Sequence, residues 1–294
     1  MTTLADIELR HAYADLAEAR LHYVEAGEGT PVVLLHGFPE FWYGWRFQIP
    51  ALVAAGFRVI APDLRGYNLS SKPADVASYQ PQRLAADVRD LIAERGVNPA
   101  RVAGHDWGAA VAWITAMAHP ESVERLAILN VPHPRRMLEA LRRPGRQLAR
   151  SWYMFFFQLP GLPEQAVRAG DWWAFRRGFE HDARPGAFTA EDLDRYREAW
   201  SQPGAPTAML NWYRASMRRR PSAAEGAGEL RPVQAPTLVI WGERDRHLGV
   251  ELAQPRHEDV PRLERVVRMP DASHWVQHDE PERVSGLLID FFKH

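Results

Sequence analysis

Arg101–Ala118 reads RVAGHDWGAAVAWITAMA: a short apolar run stops at Gly104, and a helical pattern begins about five residues later, at Ala109. Between them stands Gly104-His105-Asp106-Trp107-Gly108. Glycines two positions either side of Asp106 let the backbone turn sharply from a buried strand into a helix, which is the pattern of a nucleophile elbow with Asp where Ser usually stands. The motif is short, and an Asp at such a turn can also do no more than cap the following helix.

Working outward, the same strand-then-turn pattern repeats. Ala19–Glu25 alternates like an edge strand, and Pro31–Leu35 is a continuous apolar run ending at His36-Gly37. Phe57–Ala61 stops at Pro62-Asp63, and Leu126–Leu129 stops at Asn130. Gln82–Glu94 places Leu84, Val88, Leu91 and Ile92 on one helical face. Short apolar strands alternating with helices predict an α/β fold with a largely parallel sheet covered on both faces. From about Pro134 to Pro232 the pattern changes to Trp, Arg, Tyr and Phe at helical spacing, punctuated by Pro-Gly pairs. Strand character returns at Thr237–Trp241 and Leu263–Met269, and Glu282–Phe292 closes as an amphipathic helix. The expected organisation is a core of residues 1–134 and 232–294 with a helical lid, 135–231, inserted between its two parts.

Composition narrows the function. The chain has 294 residues, enough for a sizeable core, and 36 basic against 37 acidic side chains give a formal net charge of −1. That balance offers no electrostatic footprint for nucleic acid or an anionic membrane, so neither is expected as a partner. Cysteine is absent, which excludes disulfides, thiolate metal sites and cysteine nucleophiles. The first residues carry acidic side chains and no apolar signal-peptide core, and no apolar run reaches membrane-spanning length, so a cytoplasmic protein is expected.

Two further residues share the position of Asp106 at a strand's carboxyl end. Asp245 follows Thr237–Trp241 in the loop Gly242-Glu243-Arg244-Asp245, and His274 follows the last strand in Asp271-Ala272-Ser273-His274-Trp275. That edge of an open α/β sheet is where ligands gather, and nucleophile, acid and histidine come in the chain order of the hydrolase topology. Singly, His274 reads as a loop histidine and Asp245 as a turn residue. His274 and His278 have the i, i+4 spacing of a metal pair, but the intervening Glu of H-E-x-x-H is lacking and Pro281 argues against a helix through them. Neither a metal nor a cofactor is expected. Arg135-Arg136 and Arg218–Arg220 are expected to face solvent beside acidic neighbours, and the many tryptophans, Trp42, Trp45, Trp107, Trp172 and Trp173 among them, to form core or pocket wall.

With these pieces in order the chain resembles the epoxide hydrolases of the α/β-hydrolase superfamily. The matching segments are His36-Gly37-Phe38-Pro39-Glu40 with Trp45-Arg46, Asp63-Leu64-Arg65-Gly66-Tyr67, Gly104–Gly108, Asn130-Val131-Pro132-His133-Pro134 and Leu210-Asn211-Trp212-Tyr213-Arg214. The Asp245 loop and Gln277, Asp279 and Pro281 beyond His274-Trp275 complete the set, which covers nearly the whole chain. The resemblance implies an α/β-hydrolase fold with Asp106 as nucleophile, His274 as general base and Asp245 as its orienting acid. It also implies an oxyanion hole from the N–H groups of Phe38 and Trp107, and two lid tyrosines, Tyr153 and Tyr213, over the nucleophile. Glu40 is assigned no role.

The chemistry suits these residue types. A carboxylate attacking an epoxide carbon gives an ester that water can cleave, whereas serine would give an ether. Ring opening without a proton would leave a strongly basic alkoxide, which two phenols can prevent. The implied partners are a small-molecule epoxide and water, and the aromatic lid surface could support a homodimer. Haloalkane and haloacetate dehalogenases use the same fold and nucleophile. The former usually carry Asn where this chain has Phe38, and the latter typically Arg where it has Trp107. A ligand-binding protein on the same scaffold is the third reading, although it would have no need of five catalytic residues.

Overall fold

The computed structural model describes residues 3–142, 145–218 and 231–294. Arg219 and Arg220 of the basic cluster lie outside them. Eight strands form one sheet: β1 (Arg10–Asp15), β2 (Arg20–Ala26), β3 (Thr30–Leu35), β4 (Phe57–Pro62), β5 (Ala100–His105), β6 (Val123–Leu129), β7 (Thr237–Gly242) and β8 (Leu263–Met269). Their spatial order is β1-β2-β4-β3-β5-β6-β7-β8. Strands β3 to β8 run parallel, while β1 and β2 are antiparallel to each other and β2 to β4.

The apolar runs explain the centre of this sheet. Val32–Leu35, Val102, Ala103, Leu126–Leu129 and Leu238–Trp241 are all within 1% of fully buried, as strands covered on both faces must be. Helices α1 (Gln48–Ala54), α2 (Pro81–Glu94) and α3 (Trp107–Ala118) alternate with them. Helix α2 starts on Pro81, whose missing N–H costs nothing at a helix start, and buries Leu84, Val88, Leu91 and Ile92. Strand β1 was not expected. It is a sheet edge with Ala14 as its one buried residue, so the sequence shows almost no alternation there.

Between β6 and β7 the chain leaves the sheet to form the lid: α4 (Pro134–Arg142), α5 (Arg146–Arg150), α6 (Trp152–Phe156), α7 (Leu162–Asp182), α8 (Ala190–Trp200) and α9 (Ala205–Met217). Positive φ at Gly170, Asp171 and Trp172 breaks α7 sharply. The break turns Trp172 inward onto Phe175 and Trp200. Trp173, expected in core or pocket wall, is instead 59% exposed, because the same break turns it outward. Two helices close the fold, α10 (Val276–Asp279) and α11 (Pro281–Lys293), separated at Glu280 as Pro281 demands. Among the described residues, no helix is long and apolar enough to cross a membrane.

Candidate active site

Asp106 joins β5 to α3 with φ 48° and ψ −123°, a conformation that a residue with a side chain adopts only under strain. The flanking glycines are required by space. A Cβ on Gly108 would be driven into the carbonyl oxygens of Leu35 and His36, and one on Gly104 would lie 2.6 Å from the Gly108 carbonyl carbon. Gly37 is equally constrained, since its Cβ would meet that of Asp106 at 2.5 Å. Three glycines thus let the β3 loop, the elbow and α3 pack against one another, and they push the Asp106 carboxylate out into a cavity under the lid.

The Phe38 N–H donates to Asp106 Oδ1 at 2.8 Å. The Trp107 N–H is the first of α3, where helix amides have no intrahelical acceptor. His274 Nε2 lies 3.5 Å from Asp106 Oδ2, and its Nδ1 lies 2.7 Å from Asp245 Oδ2. Asp245 is fixed from several sides: Asn130 Nδ2 donates to Oδ2 at 2.8 Å, and the N–H groups of His247 and Leu248 donate to Oδ1 at 2.7 and 2.8 Å. Asn130 is held in turn by the Gly242 N–H, 2.9 Å from its Oδ1.

Burial pushes the Asp245 carboxyl up, but the neighbouring His274 and these donors outweigh it and bring its pKa to about 2. Burial also pushes Asp106 up and is again outweighed, chiefly by His274, leaving it below the usual carboxylate range. His274 shows the mirror image. Desolvation disfavours its charge, yet Asp245 and Asp106 hold its pKa well above the ordinary histidine value. In this state the ring is an imidazolium between two carboxylates. It becomes a base once one of those charges is removed.

Tyr153 on α6 and Tyr213 on α9 stand edge to face with ring centroids 5.8 Å apart. Tyr213 also packs on Phe38 at 5.1 Å and on Trp107 at 5.0 Å. Burial, reinforced by the Asp106 charge, raises both phenols above their ordinary range, so each stays protonated and can donate. Among the described residues neither hydroxyl has an acceptor to donate to. Both line two chambers that also share Asp106, one of about 480 Å³ walled by Phe38, Phe157 and Phe175, the other of about 340 Å³ walled by Trp107, Met137 and Leu248. Asp106 and the two phenols thus stand where two apolar chambers meet, a setting that strengthens electrostatic interactions.

Of the other residues of this region, His247 and Asp182 had no distinguishing signal in the sequence, whereas Glu40 and His278 stood in motifs without an assigned role. His247 lines the larger chamber, with its ring 5.3 Å from that of His274 and 5.7 Å from that of Tyr153, and its Nε2 lies 3.1 Å from Asp182 on α7. Glu40 lies behind the elbow, 3.0 Å from His105 Nδ1, 2.7 Å from His278 Nε2 and 3.0 Å from the Tyr196 hydroxyl, which donates to it. His105 Nε2 in turn lies 2.9 Å from the His274 carbonyl oxygen. Both His278 nitrogens are engaged, since Nδ1 lies 2.8 Å from Arg46 Nη1. Burial brings the His278 pKa down to about 4, so the ring is neutral.

Comparisons with known proteins identify the fold and the family. A family model described as alpha/beta hydrolase fold matches residues 30–281. The chain is 44% identical over 275 residues to the AB hydrolase superfamily protein YfhM of Bacillus subtilis, covering 93% of this chain and 94% of that one. It is 38% identical to epoxide hydrolase 4 of Mus musculus over 96% of this chain and 79% of the relative. Among solved structures, the epoxide hydrolase of Bacillus megaterium in complex with an inhibitor superposes with a TM-score of 0.86 at 32% identity, covering 96% of this chain and all of that one.

Proposed function

The chain belongs to the epoxide-hydrolase family of the α/β-hydrolase superfamily, and on that footing we propose that it converts epoxides to vicinal diols through a covalent ester on Asp106. One observation carries this reading: two protonated phenols without acceptors share a cavity with an ionised carboxylate at an elbow. A halide leaving as an anion needs no proton, whereas an epoxide oxygen does.

In the first step Asp106 Oδ attacks a ring carbon, the C–O bond breaks, and the developing alkoxide takes a proton from Tyr153 or Tyr213 while the other phenol donates a hydrogen bond. A positioned acid of this kind contributes roughly 10² to 10⁴ in rate. The carboxylate is then a neutral ester, so the Asp106 charge that held the proton on His274 is gone. The proton that His274 gives up restores the phenol that protonated the alkoxide; the neutral ring then takes a proton from water, and the hydroxide attacks the ester carbonyl carbon. The oxyanion forms on Asp106 Oδ1, where the Phe38 N–H already points, with the Trp107 N–H as second donor. Such donors are worth about 2.7–4 kcal/mol each. Collapse expels the diol oxygen as an alkoxide that takes the proton of the hydroxyl just added to Asp106, so the Asp106 carboxylate is restored and His274 keeps the proton it took from water. Asp245 keeps the His274 ring in the one tautomer that presents Nε2 to the reaction.

Residues 135–231 serve as the lid that carries both phenols, and residues 1–134 and 232–294 form the core that carries the nucleophile, base and acid. A cysteine-free chain suits a reducing cytoplasmic setting. The exposed lid side chains Trp152 and Phe155 support a homodimer, which sedimentation equilibrium tests. Turnover of styrene oxide to its diol, against no release of halide from chlorobutane or fluoroacetate, tests the activity. Halide release without diol formation would overturn it.

A further inference from the structure

Charge is divided unevenly along this chain. Residues 135–231 carry 17 basic side chains against 11 acidic ones, whereas residues 1–134 and 232–294 together carry 19 against 26. The whole-chain balance, which gave no reason to expect an anionic membrane as partner, averages a cationic lid with an anionic core. Exposed apolar residues divide the same way. Seven of the nine large ones among the described residues belong to the lid, and four of these, Trp152, Phe155, Leu159 and Leu162, fall within the single stretch 152–162. Met217 joins them through Gln158, whose Nε2 lies 3.3 Å from its Sδ.

The stretch is apolar on both sides. Tyr153 and Phe157 face inward and line the larger chamber, while Trp152, Phe155 and Leu159 face outward at 65%, 50% and 44% exposure. A lid segment bathed only by water keeps its outer face polar, and one that is apolar all round is normally covered. Its flanks indicate what covers this one. Arg142, Arg146 and Arg168 are exposed, and among the described residues they have neither an acidic partner nor a hydrogen-bond acceptor. The one acid between Arg142 and Arg168 is Glu164, already held by both terminal nitrogens of Arg214 at 2.7 and 3.0 Å. Trp152 also lines the larger chamber, so that chamber opens on the same face.

Trp, Phe and Leu beside unpaired arginines are the side chains that hold a protein to a bilayer surface: rings and aliphatic groups enter the head-group boundary, and guanidinium groups meet phosphate. A second copy of the chain fits less well. The homodimer supported by Trp152 and Phe155 would set these arginines against their own copies, and like charges at such a rim oppose association. We propose that this face of the lid is a peripheral membrane-binding surface for bilayers rich in anionic phospholipid, into which Phe155, Leu159 and Leu162 insert and onto which Arg142, Arg146 and Arg168 dock. The proposal is independent of the reaction assigned above. It lets an apolar molecule dissolved in the bilayer reach the chamber without crossing water.

Sedimentation of the full chain with sucrose-loaded vesicles tests this, using phosphatidylcholine alone and phosphatidylcholine with about one-third phosphatidylglycerol. Wild type should partition onto the anionic vesicles about 10-fold or more strongly than onto the neutral ones, and the margin should shrink between about 0.05 M and 0.5 M salt. Arg142→Gln, Arg146→Gln and Arg168→Gln combined should cost about 10-fold or more on the anionic vesicles, as should Phe155→Ser with Leu162→Ser. All five side chains are exposed, so an unchanged thermal unfolding midpoint certifies the fold of both variants. Leu69→Ser, which removes an apolar side chain of the core that is 44% exposed, should bind as wild type does. Equal binding to the two kinds of vesicle, or binding that the lid variants leave untouched, overturns the proposal. A stable dimer in sedimentation equilibrium that ignores both kinds of vesicle gives the face to a second copy and overturns it as well.

Discussion

Tyr153 and Tyr213 meet edge to face at an interplanar angle of 81°, although they come from separate lid helices, and both phenols look into the space above Asp106. Replacing either by Phe keeps the ring packing and removes only the hydroxyl. Stability should therefore change little, while ring opening slows by roughly 10² or more in each single variant. The double variant should be nearly inactive on epoxides. Pre-steady-state alkylation of Asp106 checks this, and a double variant that alkylates as fast as wild type would make the tyrosines mere lid packing.

Asn130 is the residue through which the end of β6 reaches Asp245. It sits at φ 47°, donates to Asp245 Oδ2 and accepts from the Gly242 N–H. Asn130→Ala leaves a buried N–H unpaired and takes one donor from Asp245, at a cost of about 1–3 kcal/mol in urea unfolding. Asn130→Asp should be worse, because it sets a second carboxylate beside the Asp245 oxygen that serves His274. Stopped-flow kinetics should show ester hydrolysis slowed more than ester formation in both.

The Asp245 pKa sets an acid limit to stability. The folded group titrates near 2, below an unfolded carboxylate at about 3.9, so its contribution is present above the unfolded value and lost as pH falls through the folded one. Urea midpoints should therefore drop between about pH 4 and 2 in wild type. In Asp245→Asn that part of the slope should vanish. His274 acts in the opposite sense: its raised pKa stabilises the fold below the unfolded histidine value near 6.5, and that contribution is lost as pH rises through the folded value.

Gly108→Ala should be among the most damaging small substitutions in the protein, since its methyl group has only the Leu35 and His36 carbonyls to occupy. Overpacking of this kind costs about 1–3 kcal/mol or more, read as a fall in Tm. Gly96→Ala provides the comparison. Gly96 has open space around it, and the strain at φ 65° alone should cost about 1–2 kcal/mol.

Much of this was legible in the sequence because the sheet announces itself. Strands β3 to β7 are buried on both faces and read as apolar runs that stop at the loops carrying Gly37, Asp106, Asn130 and Asp245. Edge strand β1 was illegible for the opposite reason, since it buries little. The break in α7 depends on three consecutive positive φ values that lid packing enforces, and no local signal separates Trp172, which turns inward, from Trp173, which does not. His247 and Asp182 come from distant segments and acquire meaning only from what the fold sets beside them. Their residue types alone distinguish nothing.

In the proposed mechanism water attacks the Asp106 carbonyl carbon and never the substrate. Single turnover of wild-type enzyme with excess protein over styrene oxide in heavy-oxygen water, followed by mass spectrometry of the peptide containing Asp106, measures this directly. Label is expected in Asp106 and none in the first diol released, and His274→Gln is expected to accumulate the alkylated peptide. Label in the first diol with an unlabelled Asp106 would contradict it.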